Sequence, residues 1–196
     1  GATYHSKVKY KLDGHTTVSN SPGGLFDSRM DASLDITLPE SLDLSITQKL
    51  DDRWTVYGGT TWTRWSRLES IVVENEAPAG YPLKTITEEQ NWHDTWAHAI
   101  GASYQLNKQW VLRTGLSVDQ APTNNENRSP RIPTGDRKIF SLGAGWSPTD
   151  DLTIDVAYSY LHEESVKVND NNGRQAYSSK YENWANGFGV GATYRF

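Results

Sequence analysis

The sequence contains no cysteine, one methionine and no long apolar run. Without cysteine, a disulfide scaffold and a thiolate metal site are excluded. No apolar stretch approaches the ~18 residues that mark a membrane-spanning helix, and the mean hydropathy is −0.68. The formal net charge is −5, so the chain lacks the excess of Lys and Arg that would neutralise phosphates, and we expect no nucleic-acid partner.

Catalytic and metal-binding patterns are also missing. The five histidines show no HExxH or similar ligand spacing, so we expect neither a metal nor a cofactor. His162 is followed by Glu163 and Glu164, but adjacent residues of a strand point to opposite faces. We therefore interpret these residues as polar strand ends, and we do not expect an enzyme.

Aromatic residues are unevenly represented, with eight Trp and ten Tyr against four Phe. Rings with one polar end are favoured where water meets an apolar phase, as at a membrane interface. Trp54 and Trp62 lie eight residues apart, which corresponds to about 20 Å of height for a strand tilted by about 40°. That height is close to the apolar band of an outer-membrane barrel.

Apolar and polar residues alternate with a period of two along most of the chain, as in Leu34, Asp35 and Ile36. This period indicates strands with one apolar face and excludes amphipathic helices. An outer-membrane strand hides its hydrophobicity in every second residue, so a low mean hydropathy does not argue against it. The predicted strands are residues 3–13, 32–50, 53–74, 95–106, 109–120, 137–147, 151–166 and 182–196.

The connections between these strands alternate in length. "LDDRW", "LNKQW" and "SPTDDL" are tight turns, whereas residues 14–30, 75–91, 121–136 and 167–181 form long polar loops. Outer-membrane barrels have this asymmetry, with short periplasmic turns and longer external loops. We therefore predict an all-β fold, an antiparallel up-and-down transmembrane β-barrel of eight strands, with residues 1–196 as a single domain.

Several stretches in order carry a family resemblance. They are "SKVKYKLDG", "LDITLPESL", "WTVYGGTTWTRWSRL", "WHDTWAHAIGASYQLNKQWVLRTGLSVDQAP", "NRSPRIPTGDR", "DVAYSYLHEESVKVN" and the terminal "GATYRF". Together they resemble the FadL/TodX family of outer-membrane transporters. The resemblance implies a fourteen-stranded barrel plugged by an N-terminal hatch, of which this chain would hold the last eight strands, without the hatch and the first six strands.

The function implied by the resemblance is passive uptake of long-chain fatty acids or other hydrophobic compounds across the outer membrane of a Gram-negative bacterium. We expect a monomer surrounded by outer-membrane lipid. The alternative is a self-contained eight-stranded outer-membrane protein that serves as a membrane anchor or a lipid-modifying enzyme.

Cationic residues of the polar face are the candidate ligand-binding groups. We predict that Arg113 and Arg137 face a pocket also lined by Trp65, with Lys7 and Lys9 as weaker candidates, and that they receive an anionic head group. The alternative is that they pair with acidic residues of the same face, Asp35, Asp43 and Asp155, and only brace the interior.

Phe196 and Tyr194 close a strand with an apolar residue at every second position. We interpret this pattern as the signal by which the barrel-insertion machinery of the outer membrane recognises its clients.

Deleting Phe196, or replacing it with Asp, should therefore lower the amount of protein assembled in the outer membrane. Barrels that have already folded should keep their stability, because the signal acts during insertion. Quantifying assembled protein in membrane fractions tests this, and normal assembly of the deletion variant would contradict it.

Overall fold

The structure, a computed structural model, describes residues 1–171 and 176–196 and is all-β within them. Two short 3-10 turns, Pro22–Gly24 and Trp65–Arg67, lie in connections. None of the helical segments in the described part of the chain is long and apolar enough to cross a membrane. The described strands are β1 (Ala2–His5), β2 (Val8–Val18), β3 (Ser28–Leu38), β4 (Ser41–Lys49), β5 (Trp54–Thr63), β6 (Ser70–Asn75), β7 (Thr85–Glu89), β8 (Thr95–Gln105), β9 (Trp110–Asp119), β10 (Arg137–Trp146), β11 (Leu152–Glu163), β12 (Val166–Asn171), β13 (Ala176–Tyr181) and β14 (Trp184–Tyr194).

Eight of these strands form one antiparallel sheet in the order β1-β4-β5-β8-β9-β10-β11-β14, which we call the main sheet. Its three tight connections, residues 50–53, 106–109 and 147–151, confirm the predicted short turns. The side chains in them close the turns locally. The backbone N–H groups of Arg53 and Trp54 donate to the Asp51 carboxylate, both at 2.7 Å. Asn107 accepts in the same way from two backbone N–H groups, at 2.9 and 3.0 Å.

The prediction of eight continuous strands was wrong, because four of them are interrupted. Residues 3–13, 32–50, 53–74 and 151–166 each divide into a strand of the main sheet and a strand outside it. Pro39 stands at one interruption, where it cannot donate a ladder hydrogen bond. At another, the turn Trp65–Arg67 carries the chain away from β5.

The strands outside the main sheet form a second tier in the long connections. β2, β3, β6 and β7 make a four-stranded sheet, which we call the upper sheet, and β12 pairs with β13 as a hairpin. Leu34 and Ile36 therefore lie in the upper sheet. Residues 121–136 connect β9 to β10 without a strand. The predicted loop 167–181 includes residues that lie outside the described part.

The two faces of the main sheet differ in chemistry, as the alternation predicted. Even-numbered positions of the central strands are mostly apolar and exposed, for example Ile100 at 66% and Leu116 at 55%. Odd-numbered positions carry cross-strand polar contacts, such as the hydroxyl pair of Ser141 and Ser159 at 2.8 Å. In the described residues, only Met30, Ala121, Val166 and Val168 are buried hydrophobic residues. The main sheet thus presents its apolar side chains outward instead of enclosing them.

The main sheet is open. β1 pairs only with β4 and β14 only with β11, and no ladder joins β1 to β14 within the described residues. The eight strands are therefore not closed on themselves.

Candidate functional site

Arg113 and Arg137 lie on the polar face of the main sheet, and each forms an ion pair with acidic side chains. Arg113 donates to Asp155 at 2.7 Å, and Arg137 lies 3.3 Å from Asp119 and 3.8 Å from Glu163. Arg113 lies opposite Gly143 of β10, and Gly143 is six residues from Arg137 on the same strand. The two arginines are therefore about 20 Å apart along the strand direction. One head group therefore cannot contact both arginines directly.

Lys7 and Lys9 line a pocket of about 560 Å³ at the junction of the main and upper sheets. Lys7 lies in the link between β1 and β2, and Lys9 lies opposite Thr37 in the β2–β3 ladder. Arg64 and Arg67, which follow β5, contribute two more positive charges. We call this the cationic pocket, and it is lined by Lys7, Lys9, Thr37, Arg64, Ser66, Arg67 and Glu69.

Glu40 joins the two strand junctions beside the cationic pocket. Its buried carboxylate accepts hydrogen bonds from Arg67, including one at 2.6 Å from Nη2, and lies 3.4 Å from Arg64 Nη1. The Arg64 backbone N–H also donates to the Glu40 carbonyl at 3.0 Å. The side-chain hydrogen bonds from Arg67 lower the pKa of Glu40 to about 2. Glu40 thereby links the end of β3 to the end of β5.

Trp65 lies in the 3-10 turn between the pocket residues Arg64 and Ser66. Its ring packs edge-on against Trp92, with the centroids 5.1 Å apart, and the Ser66 N–H donates to Asp94 at 3.0 Å. Its neighbours Arg64 and Ser66 line the cationic pocket together with Lys7 and Lys9, but Trp65 itself is not one of the lining residues. Arg113 and Arg137 do not line this pocket.

The connection 121–136 is ordered by residues that sequence reasoning missed. Arg128 is buried and donates to the Thr134 carbonyl at 3.1 Å, and its burial lowers the pKa of its guanidinium. Glu163 is buried as well and accepts from the Gly135 N–H and from Asn183, both at 2.8 Å. The only sequence signal for these contacts was the motif "NRSPRIPTGDR". That motif does not indicate that Gly135 binds Glu163, 28 residues further along the chain.

Tyr194 and Phe196 are exposed and pack edge-on against each other, with the ring centroids 5.4 Å apart. In the described part of the chain, no cluster of His, Asp and Glu has the arrangement of a metal site.

The chain matches the family described as "Outer membrane protein transport protein (OMPP1/FadL/TodX)" over residues 1–196. It is 28% identical to the long-chain fatty acid transport protein of Escherichia coli K12 over 99% of this chain and 44% of that protein. It is 33% identical to outer membrane protein P1 of Haemophilus influenzae over 85% of this chain and 35% of that protein. The chain thus spans about half the length, or less, of the curated relatives it matches.

Solved structures are similar too. A Pseudomonas aeruginosa FadL homologue has a TM-score of 0.81 and 28% identity, covering 98% of this chain and 48% of that chain. The Ralstonia pickettii toluene transporter TbuX has a TM-score of 0.62 and 18% identity, covering 98% of this chain and 43% of that chain, which shows a shared fold.

Replacing Glu40 with Gln should loosen the junction beside the cationic pocket. Because the pKa of Glu40 is depressed in the folded protein, its contribution is present above the ordinary value of 4.5 and is lost as the pH falls toward about 2. Hydrogen exchange of the 64–69 amides should therefore be several-fold faster in Glu40→Gln than in the wild type at pH 6. The difference should vanish near pH 2.

Glu69→Gln is the matched control, because it removes a carboxylate at the same pocket without disturbing the contacts of Glu40. Equal effects of the two substitutions at pH 6 would show that Glu40 has no special role at the junction.

Proposed function

The chain belongs to the OMPP1/FadL/TodX family of outer-membrane transport proteins of Gram-negative bacteria, and we propose that it forms part of a passive channel for hydrophobic compounds, with long-chain fatty acids as the favoured substrates. The family consists of transporters and not of enzymes, which sets aside the lipid-modifying alternative. The observation that carries the fatty-acid assignment is the cationic pocket.

We further propose that the main sheet is the C-terminal portion of a fourteen-stranded barrel. Unpaired N–H and C=O groups in hydrocarbon cost several kcal/mol each, so open edges of this length need partner strands. Both β1 and β14 have one unpaired edge in the described structure, which supports pairing with further strands and argues against a self-contained eight-stranded anchor. In this arrangement the polar face of the main sheet lines the lumen, and the apolar face contacts lipid.

The carboxylate of a fatty acid would bind in the cationic pocket. Arg64 and Arg67 both form ion pairs with the carboxylate of Glu40. Lys7 and Lys9, in contrast, have no ion-pair partner in residues 1–171 and 176–196. The two lysines therefore leave the pocket with a surplus of positive charge. Arg113 and Arg137 add positive potential along the lumen, where each is largely balanced by its acidic partner.

Replacing Lys7 and Lys9 together with Ala in the full-length protein should weaken oleate binding. Pairs at exposed positions contribute up to about 1 kcal/mol each, so the loss should be about five- to twentyfold. Binding of toluene, which has no charge, should not change. Tryptophan fluorescence titration with both ligands measures the two affinities.

Arg113→Ala is the control, because it removes one positive charge from the polar face at a position away from the pocket. If this control reduces oleate affinity as much as the double variant, or if the double variant loses toluene and oleate equally, the pocket does not bind the carboxylate.

The assignment of faces is tested by Val156→Arg. Val156 lies in the middle of β11 on the apolar face, so the substitution should cost about 2–4 kcal/mol of folding free energy in a bilayer. Urea titration of the full-length protein in liposomes measures this cost. Ser159→Arg, on the opposite face of the same strand, should cost much less, and similar costs for both would reject the assignment.

A further inference from the structure

A groove of about 670 Å³ lies on the apolar face of the main sheet and crosses β8, β9, β10 and β11. It is separate from the cationic pocket, and the proposed transport does not use it. The four strands are separated by three inter-strand spacings, so the groove is about 14 Å wide across the strands. This width exceeds that of one alkyl chain. We call it the outer groove.

The end of the outer groove toward the long connections carries three polar side chains, those of His98, Lys138 and His162, with the apolar Val118 among them. His98, Val118, Lys138 and His162 are successive register partners on the four strands. Each lies within three residues of the strand end that faces the long connections. Lys138 supplies a fixed positive charge, and the two histidine rings can donate hydrogen bonds.

The next row, two residues nearer the middle of the strands, is apolar and aromatic. It consists of Ile100, Leu116, Phe140 and Tyr160, which are again successive register partners. Ile100 and Leu116 are 66% and 55% exposed, so their side chains offer apolar surface to a ligand in the groove. The outer groove therefore has a polar end and an apolar body, as an amphiphile has.

We propose that the outer groove binds a phosphorylated, multi-chain lipid of the outer leaflet, with a phosphate at Lys138 and acyl chains over the apolar row. The long connections of an outer-membrane barrel face outward, which puts Lys138 at the depth of the outer-leaflet head groups. Glu164 lies 3.3 Å from Lys138 and is its ion-pair partner within the described residues, and both side chains are more than half exposed. A phosphate can therefore reach Lys138 by displacing or bridging that contact. The width of the groove favours a lipid with several chains over a fatty acid.

Native mass spectrometry of the full-length protein, titrated with bis-phosphorylated lipid A and with dephosphorylated lipid A, tests the proposal. Lys138→Ala should weaken binding of the bis-phosphorylated lipid about fivefold, the amount expected for one Lys at an anionic membrane surface. Binding of the dephosphorylated lipid should not change. Lys138→Arg should restore the affinity, and Glu164→Gln should raise it, because the competing carboxylate is gone.

Lys108→Ala is the matched control, since Lys108 is an exposed lysine in a tight turn at the opposite end of the strands. The proposal is overturned if Lys108→Ala and Lys138→Ala weaken binding equally, or if the wild type binds both lipids equally well. It is also overturned if oleate displaces the bis-phosphorylated lipid at equal concentration, which would assign the outer groove to the substrate.

Discussion

Backbone hydrogen bonding is the constraint on which the rest of this structure depends. Hydrocarbon offers no partner for an N–H or C=O group, so every strand in the bilayer must be paired along its length. The main sheet meets this demand with long ladders, such as the ten register pairs between β5 and β8. In the upper sheet, β2 and β3 form a comparably long ladder of eleven register pairs, but only three pairs join β3 to β6. The interruptions lie between strands of the main sheet and strands outside it, where side-chain contacts such as those of Glu40 with Arg64 and Arg67 join the ends of the strands.

Continuous pairing also fixes the chemistry of the two faces. Once the register is set, every second side chain lies on the apolar face and the others lie on the polar face, so a shift by one residue would exchange the faces. Such a shift would put Arg113 and Asp155 on the apolar face and Val156 on the polar face. The ion pairs of the polar face and the exposed apolar residues of the other face are therefore two results of one register. The cationic pocket and the outer groove lie on elements that this register positions.

Alternation and turn composition were enough to predict the strands of the main sheet and the short turns, but not the interruptions. The apolar residues Leu38 and Leu42 have the same parity on the two sides of Pro39, so the period of two continues across the interruption. The odd or even position of a residue also gave incomplete information about the ligand-binding site. Arg113 and Arg137 share a face as predicted, but parity says nothing about height along the strand, and they lie about 20 Å apart. The contact of Glu40 with Arg67 joins residues far apart in the chain, and no local pattern indicates it.

The three tight turns have a consequence for the order of assembly. Residues 50–53, 106–109 and 147–151 each join two strands that are neighbours in the main sheet, so these pairs can form with little loss of chain entropy. The pairs β5–β8, β9–β10 and β11–β14 must instead close connections of 17 residues or more. Contacts close in sequence form faster than distant ones. The hairpins closed by Asp51 and Asn107 would then form first during folding. Each hairpin would already have its final register when the slower pairings between hairpins form.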